Sequence, residues 1–186
     1  MTTTMQQEAG DSVHPAFASD GYIFTFTGKK VYPLDLKEED VNIADIAHGL
    51  ANTARWTGQS AKFYSVAQHS VLVSDCLPRE FALWGLLHDA DEAYLGDIAR
   101  PVKYMPELKP LRDAGKRIQT IINRAFGLKG HTPKIIKETD DYVVKQEWVS
   151  VMGQEGHSDL RITPQSPARA EMEFLRKFGE LYEARR

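Results

Sequence analysis

Between residues 65 and 152 apolar side chains recur at the three- and four-residue spacing of an α-helix, and in three segments ionisable side chains fall on the apolar face. The first stripe is Val66, His69, Val73 and Cys76. The second is Trp84, His88, Glu92 and Leu95, with Asp89 beside it. The third is Ile136, Asp140, Val143, Glu147 and Val151, apolar apart from two carboxylates. Asp141 falls out of this phase and joins Lys137, Glu138 and Lys145 on a more solvated face. Taken singly, an inward His is usually a hydrogen-bonded core residue, and an inward Asp a buried cap or ion pair. Taken together, two imidazoles and several carboxylates are expensive to bury without a counter-cation, and a metal ion is the usual remedy. Two imidazoles with two carboxylates suit a borderline divalent ion such as Mn, Co, Fe or Zn better than a thiolate-seeking one.

The rest of the chain frames these segments. Residues 22–27 are β-branched and aromatic, Gly28 follows, and residues 29–32 complete a small hairpin. Helices are expected over residues 42–55, 66–77, 79–95, 107–126, 133–152 and 167–185, punctuated by Pro78, Gly96, Gly127 and Pro133. Asn42 or Asp45 caps the first. Residues 97–106, with Pro101, read as a loop. The fold class is therefore mostly α, a compact bundle of about six helices with a small N-terminal β element. Residues 1–19 lack periodicity and read as a flexible tail, leaving residues 20–186 as one domain. With 42% hydrophobic and 26% charged residues among 186, disorder over most of the chain is excluded. A net charge of -3 argues against binding a nucleic-acid polymer, which needs a concentrated positive surface. The lone Cys76 excludes a disulfide framework and is expected to be a packing residue. No apolar run approaches the ~20 residues that span a bilayer, and no signal-peptide core is present, so no membrane and a cytoplasmic address are expected.

In chain order, His69, His88-Asp89 and Asp140 resemble the H…HD…D signature of the HD superfamily of metal-dependent phosphohydrolases. Tyr64-Ser65-Val66-Ala67-Gln68-His69-Ser70 resembles the segment around the family's first His. Leu86-Leu87-His88-Asp89-Ala90-Asp91-Glu92-Ala93-Tyr94-Leu95-Gly96-Asp97 resembles its central helix and the loop after it. The resemblance covers residues 43–152 and lies nearest to small bacterial and phage 5′-deoxynucleotidases and dNTP (dATP) triphosphohydrolases.

That resemblance implies an HD-domain bundle in which His69, His88, Asp89 and Asp140 hold one divalent metal ion (Mn, Co, Zn, Fe or Mg). The stripe and the flanking match both select Asp140 over Asp141. Glu92 would orient or deprotonate the attacking water, and Asp97 would protonate the departing 5′ oxygen or read the sugar's 3′ hydroxyl. Arg55-Trp56 matches an Arg-Trp pair upstream of the first ligand, with Arg55 on the phosphate and Trp56 against the sugar or base. Lys103 would add a phosphate contact. The implied reaction cleaves the α-phosphate to 5′-oxygen bond of a (deoxy)nucleotide. The alternatives are a non-catalytic nucleotide-binding regulator, a structural metal protein, and a hydrolase of an alarmone or cyclic nucleotide. The expected partners are a small-molecule nucleotide and further copies of the chain, with the last helix (residues 167–185) either an interface or a cap on the bundle. His48, near Asp45, is placed at the pocket, and His14, His131 and His157 at the surface.

Overall fold

The computed structural model describes residues 21–184. The expected tail, residues 1–19 with His14, lies outside the described residues. The hairpin forms as expected. β1 (Ile23–Phe24) pairs antiparallel with β2 (Lys30–Val31), Ile23 opposite Val31 and Phe24 opposite Lys30. Gly28, at φ 82°, closes the turn in the left-handed region open to a residue without Cβ. The hairpin is tied down by the buried Asp45 carboxylate, which accepts from the Thr27 backbone N–H at 2.7 Å and from Thr27 Oγ1 at 3.0 Å.

The remaining elements are helices: α1 (Ile43–Asn52), α2 (Val66–Asp75), α3 (Arg79–Leu86), α4 (Glu92–Leu95), α5 (Arg100–Lys103), α6 (Lys109–Ala125), α7 (Lys134–Ser150) and α8 (Pro167–Glu183). Asn42 caps α1 by accepting from Ala44 N, and Ser65 caps α2 by accepting from Gln68 N. Each satisfies a backbone donor that the first turn leaves free. α8 packs against α1, α2 and α3, and α2 also packs against α7. Ile46, Leu50, Leu86, Leu87, Ile118, Ile122, Ile136 and Phe174 form the fully buried centre. Each such side chain contributes about 1.5–3 kcal/mol relative to exposure.

Among the described residues the α-helices number eight, not about six, beside four three-residue 3-10 turns. The helix expected over residues 79–95 breaks after Leu86. A continuous helix would join the Asp91 N–H to the Leu87 carbonyl. Instead the Gln119 side chain of α6 inserts between them. Its Nε2 donates to Leu87 O at 2.7 Å, and its Oε1 accepts from Asp91 N at 3.2 Å. Tighter bonds carry the chain across the bend, from Ala90 N to Leu87 O and from Glu92 N to Asp89 O. The expected Trp84–His88–Glu92–Leu95 face is therefore not one straight stripe, and His88 and Asp89 stand at a corner. The other addition is α5, in the expected loop, where Pro101 occupies a first-turn position that needs no N–H.

Candidate metal centre

The helices bring the three stripes together. His69 comes from the middle of α2, His88 from the bend after α3, and Asp140 from the second turn of α7. One ligand atom from each lies within 4.8 Å of the others, and the group is buried or nearly so. His69 Nε2 is 3.3 Å from His88 Nε2 and 3.3 Å from Asp140 Oδ1. His88 Nε2 is 3.8 Å from the same oxygen. Asp89 Oδ2 lies beside this group, 3.2 Å from His88 Nε2 and 3.8 Å from His69 Nε2. Asp141 turns away to Lys137 and Arg100, as the helical phase requires.

Both imidazoles are oriented from behind. His88 Nδ1 lies 2.7 Å from the Gly85 carbonyl, to which it can only donate. His69 Nδ1 lies 2.6 Å from Glu147 Oε1. With Nδ1–H engaged, a neutral ring presents the Nε2 lone pair inward, as a metal ligand must. Two such nitrogens facing carboxylate oxygens fit a borderline divalent cation.

The electrostatics agree. Burial alone would lower the His88 imidazolium, but Asp89 and Asp140 overcome it and hold the ring well above its ordinary value. Burial would raise Asp89 and Asp140; the histidines, helped at Asp89 by Arg55, hold both well below the carboxylate range. A field that strong favours positive charge among these atoms, whether a proton or a metal cation.

A cavity of about 540 Å³ opens over the cluster. His88, Asp89 and Asp140 face it, together with Arg55, Trp56, Glu92, Asp97 and Lys103; of the metal, catalytic and substrate-binding residues implied by the resemblance, only His69, fully buried beside His88 and Asp140, does not line it.

The chain is 33% identical over 177 residues to the uncharacterized protein YfdR of Escherichia coli, covering 89% of this chain and 98% of YfdR. It belongs to the YfdR family. An uncharacterized protein of Rhodobacter capsulatus is 39% identical over 120 residues, which is 60% of this chain and 61% of that protein. No family model matches the chain.

In this member of the YfdR family the cavity walls are already paired among themselves. Glu92 is 5% exposed. Its Oε1 accepts from Lys103 Nζ at 3.0 Å, while Oε2 is buried without a hydrogen-bond partner. Burial and the Asp89 and Asp97 charges push its carboxyl up to about 9, against the pull of Lys103. Asp97 is raised by burial as well. Arg55 directs Nε and Nη2 at Glu147 Oε2, at 3.2 and 3.0 Å, and its Nη1 lies 3.7 Å from Asp89 Oδ2. Trp56 and Thr57 adopt φ values of 56° and 51°, rare for such residues and a sign of local strain. The Trp56 ring lies 5.9 Å from that of Trp148.

Two residues outside the expected set prove central. Glu147 binds His69, Arg55 and Tyr64 at once. It stands on the α7 stripe two turns after Asp140, but nothing in the sequence ties it to those partners. Arg100 donates to Asp140 Oδ2 at 3.2 Å from the cavity wall. Two expectations fail. His48 does not line the cavity: its ring stacks on Phe26 at 3.8 Å, and its Nδ1 meets Glu171 on α8 at 3.0 Å. Cys76 does not pack in the core but is exposed as the C-cap, one residue beyond the last residue of α2.

Proposed function

We propose that this protein is an HD-type metal-dependent phosphohydrolase that cleaves the bond between the α-phosphorus and the 5′ oxygen of a (deoxy)nucleotide, as a 5′-deoxynucleotidase or a dNTP triphosphohydrolase. The observation that carries this reading is the convergence of His69, His88, Asp89 and Asp140 at the floor of a cavity walled by Arg55, Arg100 and Lys103. Those four side chains would hold the metal ion. When bound, it would act as a Lewis acid and lower the pKa of a coordinated water.

The chain's own groups account for the other requirements. Glu92, with Oε2 free of hydrogen-bond partners, would orient the attacking water, and would accept its proton only once its raised carboxyl has ionised. Asp97 faces the same cavity and would protonate the leaving 5′ oxygen or bind the 3′ hydroxyl. Arg55 Nη1 and Lys103 Nζ would neutralise charge building on the phosphate oxygens. Trp56 offers a flat apolar wall for sugar or base.

The test is to incubate the protein with AMP, dAMP, ATP and dATP plus Mn, Co, Mg or Zn, and to identify products by phosphorus NMR. The double variant His88→Ala, Asp89→Ala runs alongside. Orthophosphate from dAMP, lost in the variant, identifies a deoxynucleotidase; intact triphosphate from dATP identifies a triphosphohydrolase. Nucleotide binding with no product from these four substrates would refute the nucleotidase and triphosphohydrolase reading and favour a nucleotide-binding regulator or a hydrolase of another phosphate ester.

A further inference from the structure

Glu147 is fully buried, and four donors converge on it. Tyr64 Oη and His69 Nδ1 approach Oε1 at 2.9 and 2.6 Å. Arg55 Nε and Nη2 approach Oε2 at 3.2 and 3.0 Å. An ionised carboxylate offers about four lone-pair sites, and here every one is filled. An apolar side chain of similar volume would fill the same space without the cost of desolvating a charge, so packing alone does not explain a carboxylate at this position. Its donors divide by destination. His69 carries an inward-facing Nε2 in the His/His/Asp cluster, and Arg55 lines the cavity with one nitrogen left over.

We infer that Glu147 is a positioning residue that builds both halves of the site: one oxygen holds His69 for the metal ion, and the other holds Arg55 for the phosphate. This rests on the proposed metal-dependent function. Nε and Nη2 both donate to the one oxygen Oε2, which leaves Nη1, on the side of Asp89, as the nitrogen offered to an anion. The grip on Nδ1 fixes both the tautomer and the rotation of His69. One carboxylate thus sets the spacing between the metal ligand and the anion-binding cation.

Glu147→Gln tests this with almost no change of shape. An amide keeps one acceptor oxygen and replaces the other with an NH₂ group, which must face either the Tyr64–His69 pair or Arg55, donors in both cases. Metal-free protein is titrated with cobalt(II) and followed by visible absorption, and the cobalt-loaded protein is then titrated with inorganic phosphate. Far-UV circular dichroism verifies folding at the temperature of the titrations. Cobalt affinity should fall about 10–100-fold, the range expected when the partner of a ligating His is removed, and phosphate affinity should fall with it. Glu147→Asp keeps the charge but cannot reach both partners at once, so it should fall between wild type and Glu147→Gln in both titrations. It also serves as the test if Glu147→Gln does not fold. A folded variant with wild-type affinity for cobalt and phosphate overturns the inference, because a purely structural Glu147 would change only the melting temperature. A wild-type protein that binds no cobalt(II) instead refutes the metal-site reading itself.

Discussion

Replacing Gln119 by Leu removes the amide that holds α3 and α4 apart. Three hydrogen bonds end: those to Leu87 O, from Asp91 N, and to Asn123 Oδ1. Leu87 O keeps a second partner in Ala90 N, so the groups left unpaired are the Asp91 N–H, fixed in the backbone, and the side-chain oxygen of Asn123. At about 1–3 kcal/mol for each buried group left unpaired, a protein that kept its bend would lose about 2–6 kcal/mol. The backbone has another outcome open to it. Asp91 N can turn to Leu87 O, restoring the regular helical bond and fusing α3 with α4. That lowers the cost but rotates His88 and Asp89 away from His69. In the first case stability falls; in the second, metal affinity falls and helical content rises. Urea denaturation followed by circular dichroism, paired with a cobalt(II) titration, separates the two. Each kcal/mol lost at the midpoint corresponds to a drop of about 2–4 °C in melting temperature for a chain of this size. A variant with wild-type stability and wild-type cobalt affinity would show that Gln119 does not cause the bend.

Two further predictions concern the cluster and its support. A divalent ion at 100 times its dissociation constant should stabilise the folded state by about 2.7 kcal/mol, read as a rise in melting temperature that disappears in His88→Ala and Asp140→Ala. The second concerns pH. Burial would raise the Glu147 carboxyl, but His69, Arg55 and the Tyr64 hydroxyl overcome it and hold it at about 2, below its ordinary 4.5. As pH falls, the unfolded chain takes up this proton first. The stabilisation, about 3 kcal/mol, is therefore complete above pH ~4.5 and gone once the folded group titrates. Unfolding free energies measured between pH 6 and pH 2.5 should decline more steeply for wild type than for Glu147→Gln.

Helical phase carried most of what the sequence could say about the site. Val66, His69 and Val73 are buried together, as are Ile136, Asp140, Val143, Glu147 and Val151, and the phase alone separates Asp140 from Asp141. Phase fails where a distant residue intervenes. Residues 87–91 contain no Gly or Pro, so local propensity continues the helix, and the interruption comes from a side chain 28 residues beyond Asp91. The partners of Glu147 were hidden for the same reason. Arg55 and His69 lie 92 and 78 residues away, and only the packed bundle decides which donors meet one carboxylate. Cys76 shows the converse limit, since extending a periodic stripe by one residue past the helix end predicted burial that the chain does not provide.

α8 supplies no residue to the cavity, yet it closes α1, α2 and α3 from behind with Ala170, Phe174 and Phe178. During synthesis, every residue lining that cavity therefore leaves the ribosome before the wall behind it exists. Until Pro167 and the turns after it emerge, the nascent bundle lacks its back wall and has apolar surface uncovered there. The connection that leads to α8 includes the exposed run Gln154, Glu155, Gly156 and His157. A protease nick in that run would leave the cavity's side chains covalently intact while cutting the link to the element that braces them. Loss of metal binding after such a cut would track the departure of α8 rather than damage to any residue that lines the cavity.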